Sequence, residues 1–299
     1  MQISTGDYYG LPTRVLAGRH LRLEFLAEAG PRLVRLSLAG SEANLLAEAP
    51  DFHVPTSLGD FAFRGGHRLW HAPEAMPRTY VADDAGLLVE PLADGVRLSA
   101  ADEAHARIHK AIEIHLHPDR PSLTLHHRLT NIGLWAVELA AWAITQMRLG
   151  GVAVLPQPAG AVDAAGLLPN RRLALWPYTR WDDPRLRLGD DYIVVNAQPG
   201  LPFKIGYWNR HGWLGYWLNG VFFTKAFARP GAEAYPDFGC NAETYGNDKV
   251  FELESLGPLT RLEPGQRVEH TETWRLLPGV PAFGTPAEAA AVLNGLELA

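Results

Sequence analysis

Apolar and polar residues alternate, one for one, along most of this chain. Leu21, Leu23 and Phe25 recur at a spacing of two, as do Val34, Leu36 and Leu38, with Ala29-Gly30-Pro31 between them as a turn signal. Successive side chains of a strand point to opposite faces, so this spacing predicts an antiparallel pair. Two short runs, 86–92 and 95–100, meet at Asp94-Gly95, a strong hairpin signal. The pattern continues through Ile108, Ile112, Ile114 and Leu116, turns at 118–121 and returns through Leu123, Leu125 and Leu129. Residues 135–147 are mostly apolar, and Trp142, Ile144 and Thr145 favour a buried strand there over a helix. Further strands are predicted at 192–196, 203–208, 213–218, 220–227, 250–255 and 268–277. Residues 156–190 break the pattern with Pro, Arg and Asp, and read as an excursion over the surface or over the mouth of a site. Only the tail looks helical. Thr285 stands as N-cap, Pro286 follows it and Glu288 completes a capping box.

The whole amounts to roughly fifteen to twenty short strands. No linker, repeat or low-complexity tract divides them, so residues 1–299 are expected to form a single domain. A single sheet that wide would curl or split, which predicts an all-β fold of two packed sheets with a short C-terminal helix. The 23 prolines and 29 glycines, spread along the chain, suit many turns. A net charge of -6 with no basic block argues against nucleic acid as a partner. No run of about 18 apolar residues predicts a membrane span. The N-terminus lacks the basic start and apolar stretch of a signal peptide, so the cytoplasm is the default location. Cys240, the one cysteine, cannot form an internal disulfide and is expected to be a small buried hydrophobe. The oligomeric state stays open.

Candidate chemistry gathers in a few places. Glu252 and Glu254 are two apart, share a strand face opposite Phe251 and Leu253, and offer paired carboxylates. His67, Arg68 and His71 follow Gly65-Gly66, a pair that permits a tight turn and a close approach of ligand to backbone. Glu243 lies in the polar and aromatic string 241–247, which suits a loop lining a sugar site and equally suits ordinary turn chemistry. Tryptophan faces stack on the C–H faces of sugars, and Trp70, Trp142, Trp208 and Tyr245 are the aromatic candidates. His109, Glu113, His115 and His117 share one strand face, a spacing open to a metal, but that face is the expected solvent side, as it is for His126. Lys204 and Lys225 interrupt apolar strands. An inward charge is conceivable for Lys225, and an edge strand is the simpler expectation.

Two of these stretches also carry a family resemblance. Residues 61–74, with Arg64-Gly65-Gly66 and Pro73, resemble the Arg-Gly-Gly…Pro segment of the aldose 1-epimerase and glucose-6-phosphate 1-epimerase families. Residues 250–258, followed by Leu262-Glu263-Pro264-Gly265-Gln266, are similar to their catalytic-glutamate strand and the turn after it, and Leu129-Thr130-Asn131 resembles their central strand end. The resemblance implies a galactose mutarotase-like β-supersandwich with a sugar site on its concave face. It also implies a carboxylate that takes the anomeric hydroxyl proton and a histidine that protonates the ring oxygen, with no metal and no organic cofactor. In the family that histidine follows the central strand end. Here 138–147 holds none, and Trp142 or Gln146 stands in its place. On this reading the catalytic candidates are Glu254, slightly ahead of Glu252, with His67 and His71 as acids. Arg64, Arg68, Trp70, Trp142, Gln146, Glu243 and Tyr245 are the substrate contacts. The expected function is binding of a carbohydrate ligand with epimerase-like isomerase chemistry. The alternatives are a saccharide-binding protein without turnover, and a lyase or hydrolase on the same scaffold.

Overall fold

The structure, a computed structural model, describes residues 2–298 except Glu103 and Ala159. In chain order its strands are β1 (Gln2–Tyr8), β2 (Leu11–Ala17), β3 (Leu21–Leu26), β4 (Arg32–Leu38), β5 (Glu48–Thr56), β6 (Gly59–Ala72), β7 (Leu88–Pro91), β8 (Gly95–Ser99), β9 (Ile108–Leu116), β10 (Ser122–Asn131) and β11 (Val137–Met147). The second half holds β12 (Val152–Pro156), β13 (Leu173–Leu175), β14 (Leu186–Arg187), β15 (Tyr192–Asn196), β16 (Phe203–Tyr207), β17 (Trp213–Leu218), β18 (Val221–Phe227), β19 (Ala242–Gly246), β20 (Phe251–Leu256), β21 (Thr260–Leu262) and β22 (Arg267–Pro278). The C-terminal helix spans Pro286–Leu293, and its capping box between Thr285 and Glu288 is formed.

These strands make two sheets. One runs β1-β2-β3-β4-β6-β11-β20-β19-β16-β13, with β5 also on β6 and β21 also on β11. The other runs β14-β15-β12-β17-β18-β22-β10-β9-β8-β7. The alternating residues read from the sequence pack between them: Leu23, Leu36, Ile112, Leu125, Leu253 and Trp274 belong to one shared core. The first sheet has a second apolar layer on its other face, where Phe61, Phe63, Trp70, Trp142, Ile144 and Leu256 cluster. A sheet face turned to water would be polar, so this second layer marks where something covers the sheet or binds to it.

Three expectations change. Gly65 and Gly66 sit inside β6, at φ of +81° and +68°, and not in a turn beside a ligand. A Cβ on them would lie 2.1 Å from the Ala47 carbonyl oxygen and 1.8 Å from that of Leu33, so their freedom serves backbone packing. The polar string 241–247, read as a loop, contains the interior strand β19, which pairs with both β16 and β20. Lys225 is on no edge. Strand β18 lies between β17 and β22, and the lysine is fully buried between the sheets.

Candidate functional site

Five neighbouring strands, β6, β11, β20, β19 and β16, form the floor of a cleft on the outer face of the first sheet. Register aligns their outward side chains in rows. One row runs Gly66, Gln146, Glu252, Tyr245 and Lys204, and the next runs Arg68, Ile144, Glu254, Glu243 and Gly206. Trp70 and Trp142 pair in a third. The cleft holds about 460 Å³, within the usual range for a small-molecule site. Phe52, Phe63, Trp70 and Tyr80 wall one side, Trp176, Tyr178 and Tyr245 the other, and Arg68, Glu74, Lys204 and Glu252 supply charge.

Among the carboxylates of the floor strands, Glu252 opens on this space. It is 6% exposed and accepts from Arg68 Nη2 at 3.0 Å and Gln146 Nε2 at 2.7 Å. The Arg68 guanidinium lies 4.3 Å from the Trp70 ring centre and 5.0 Å from that of Phe63, a stacked arrangement that fixes its plane. Its Nε and Nη1, both buried, have no protein partner, and neither has Gln146 Oε1. Glu254, the favoured candidate from the sequence, lies beneath. It is fully buried, and its Oε2 accepts from Trp142 Nε1 at 2.8 Å and from Lys204 Nζ at 2.9 Å. Glu243 is as deep, with Oε2 2.7 Å from the same ammonium.

One ammonium thus serves two carboxylates. Burial works against the Lys204 charge, but Glu243 and Glu254 outweigh it and hold the lysine well above its usual range. Burial pushes the Glu243 carboxyl well up, against the pull of Lys204, so this group keeps a proton more readily than an exposed glutamate. Lys204 is sandwiched between indoles, 4.6 Å from the Trp142 ring centre and 4.7 Å from that of Trp176. The excursion of 156–190 supplies Trp176. Strand β13 pairs with β16, and the Thr179 hydroxyl donates to the Lys204 carbonyl at 2.6 Å while accepting from the Lys204 N–H at 2.8 Å.

Other candidates fall elsewhere. His67 and His71 are on β6 but, being odd-numbered beside Arg68 and Trp70, face the inter-sheet core. His67 is fully buried; His127 Nδ1 donates to the His270 carbonyl at 2.9 Å, leaving its Nε2 to accept from His67 Nε2 at 2.8 Å. His67 Nδ1 then accepts from the Thr145 hydroxyl at 2.9 Å. Burial holds His67 well below the usual imidazole range, with the neighbouring His127 adding to it, and burial brings His71 down to about 3. Neither histidine lines the cleft. Arg64 is also turned away, paired with Asp83 at 3.2 Å and with Asp84, and so anchors the segment after β6. Trp208 lies beside Arg172 and Arg210 outside the cleft. On the outer face of the second sheet, Glu113 pairs with Arg97 at 2.8 Å and His115 with Asp94 at 2.7 Å. Among the described residues, the group with metal-ligand spacing is His67, His127 and Glu272, whose polar atoms are already engaged as hydrogen-bond partners. Sequence reasoning did not single out Trp176, Tyr178, Tyr80, Phe52 or Phe63 for the cleft.

No protein-family model matches the chain, and no curated protein does. Solved structures do. A galactose mutarotase-like protein from Lactobacillus casei superposes with a TM-score of 0.59 at 11% identity, over 89% of this chain and 100% of that one. A galactose mutarotase related enzyme from Lactobacillus acidophilus gives 0.53 at 7% identity, over 92% and 98%. A TPR-domain containing protein from Parabacteroides distasonis gives 0.60 at 13% identity, over 92% of this chain and 48% of that one, so the chain spans about half of that protein's length. Likeness that covers the chain from end to end at such low identity is likeness of architecture, and on it, together with the two antiparallel sheets, this chain has the galactose mutarotase-like fold.

Proposed function

We propose that the cleft binds a saccharide, with the aromatic walls against its ring faces and with Glu252, Arg68 and Gln146 hydrogen-bonded to its hydroxyls. The supporting observation is unspent hydrogen-bonding capacity of both kinds beneath aromatic walls. Arg68 Nε and Nη1 are donors without a partner, and Glu252, which lines the cleft, takes both of its hydrogen bonds on Oε1 and leaves Oε2 as an acceptor. A hydroxyl both donates and accepts, so a polyol satisfies such a floor. Each cation is already paired with a carboxylate, Arg68 with Glu252 and Lys204 with Glu243 and Glu254, and Glu74 adds a further carboxylate at the wall, so the cleft offers no unpaired cation and does not favour an anionic ligand.

Turnover at the anomeric carbon is a second reading, carried by the position of Glu252. It is the carboxylate open to the cleft on the strand that the family resemblance singles out, and it would take the anomeric hydroxyl proton. The opposing acid would not be an imidazole, since no histidine lines the cleft among the described residues. Lys204, held well above its usual range, and Tyr80, raised mainly by burial, are both reluctant donors at neutral pH. Binding without rapid turnover is therefore the better supported of the two. Saturation-transfer NMR with a panel of reducing sugars tests both. Binding signals that weaken in E252Q, with unchanged exchange between α and β anomer signals, are expected. Accelerated exchange abolished by E252Q would establish the epimerase reading instead. No binding to any sugar would overturn both.

A further inference from the structure

Trp176 has two sides. One belongs to the cleft, where its ring covers Lys204. The other belongs to a smaller recess of about 160 Å³, lined by Ala174, Leu175, Trp176, Pro177, Asp237 and Phe238. The recess adjoins the cleft at this shared residue and is mostly apolar, with a single carboxylate at its edge. Phe238 is 88% exposed, so its ring is open to a ligand. Its backbone is unusual. Asp237 and Phe238 both take left-handed conformations, at φ of +51° and +61°, which non-glycine residues avoid. Arg172 holds that turn by donating from Nη1 to the Phe238 carbonyl at 2.8 Å, and the Cys240 N–H closes it on the Pro236 carbonyl at 2.9 Å. The chain thus holds an unfavourable backbone in place at the spot that presents this ring to solvent beside Trp176.

We propose that the recess is a second sugar subsite, so that the ligand is an oligosaccharide whose one ring lies in the cleft and whose next ring lies past Trp176 against Phe238. This rests on the saccharide reading of the cleft and adds to it the length of the ligand. The chemistry matches a pyranose ring: an apolar wall for its C–H face, and the Asp237 carboxylate as acceptor for a hydroxyl at its edge.

The test compares affinities of the full chain, by calorimetry or NMR titration, for glucose, maltose, maltotriose, cellobiose and cellotriose, and for galactose and mannose with their β-1,4-linked dimers. For the sugar that binds, the disaccharide should bind roughly three- to tenfold more tightly than the monosaccharide, the range one aromatic contact supplies. F238A should remove that advantage, and F238W should retain it. W135A, which alters an equally exposed ring on the β10–β11 turn, should not change it. Monosaccharide binding with no gain from a second ring would overturn the subsite and leave the cleft reading intact. The same holds if F238A weakens mono- and disaccharide equally. Failure of every saccharide to bind would overturn the cleft reading and the subsite with it.

Discussion

Two lysines are buried in this molecule among glutamates, and they do opposite things. Lys225 lies between the sheets. Its ammonium is 2.9 Å from Glu272 and donates to the Ala143 and Leu253 carbonyls at 3.0 and 3.1 Å and to the Thr145 hydroxyl at 3.1 Å. Glu272 in turn accepts from Trp274 Nε1 at 2.8 Å and from the Ser255 hydroxyl. Burial works against the Glu272 charge, but Lys225, with His127, His67 and His270 nearby, outweighs it and holds the carboxyl far below its usual range. Lys204 lies at the cleft with two carboxylates to one ammonium; the two Oε2 atoms meet it at 2.7 and 2.9 Å, and the two Oε1 atoms have no partner. Complete pairing marks a structural pin, here one that fastens β18 and β22 to the undersides of β11 and β20. Incomplete pairing marks a place where the fold has left capacity for something else.

The largest test of this difference is thermodynamic. K225M strands Glu272 without its cation, and chemical denaturation should show a loss of about 3–5 kcal/mol, most of it recovered in K225M/E272L. K204M should cost at least ~1.5 kcal/mol less, because Glu243 takes up a proton in place of its partner. Equal losses would erase the distinction.

Opposite pH dependences sharpen it further. A carboxyl raised in the folded state costs nothing below the ordinary carboxylate pKa and costs progressively more as pH rises above it, so E243Q should gain stability over wild type from about pH 4.3 upward. Glu272 is depressed, so its contribution is present above that pKa and is lost as pH falls through its folded value. E272Q should therefore be destabilised at neutral pH, with the deficit shrinking only in acid. Urea unfolding between pH 3 and 8 reads both.

A third test separates ligand from stability. E252Q should weaken saccharide affinity roughly tenfold, as loss of a charged hydrogen bond does. Its unfolding free energy should fall by less than that of K225M, since the amide oxygen still accepts from Arg68 and the guanidinium keeps its stacking on Trp70 and Phe63. The smallest effect concerns His71, whose two ring nitrogens are buried without hydrogen bonds. Because its folded pKa is about 3, wild type loses stability as pH falls from 6.5 toward 3, when the unfolded imidazole takes a proton that the folded one refuses. H71L should be more stable by ~1 kcal/mol at pH 7, with the margin widening in acid.

The period-two pattern carried most of the architecture: two sheets, the 86–100 hairpin, the pairing of the strands around 108–129 and the capped helix all follow from local alternation and turn residues. It also carried the face of Glu252 and Glu254. It could not show which of them meets the cleft, because Lys204 covers Glu254 from a strand 50 residues away in sequence. For His67 and His71 the signal was present in the parity. After the left-handed residues 64–66, where the alternation shifts, odd positions of β6 cannot share a face with Arg68 and Trp70, and the Arg-Gly-Gly block obscured that. Trp176 and Tyr178 left no such trace. They lie on irregular chain whose landing place is set by the Thr179–Lys204 hydrogen bonds and the pairing of β13 with β16.

The cleft floor and the inter-sheet core are opposite sides of the same strands, so a single inserted residue in β20 would exchange Glu252 and Glu254 for Phe251 and Leu253 and ruin both at once. Descendants of this chain that change ligand therefore have little freedom in the sheet. The excursion of 156–190 touches the floor from one edge and can lengthen, shorten or trade its aromatics without shifting any register. New specificities in this lineage should thus appear as loop variants on a conserved floor, and grafting that segment between related proteins is the economical way to move a preference from one to another.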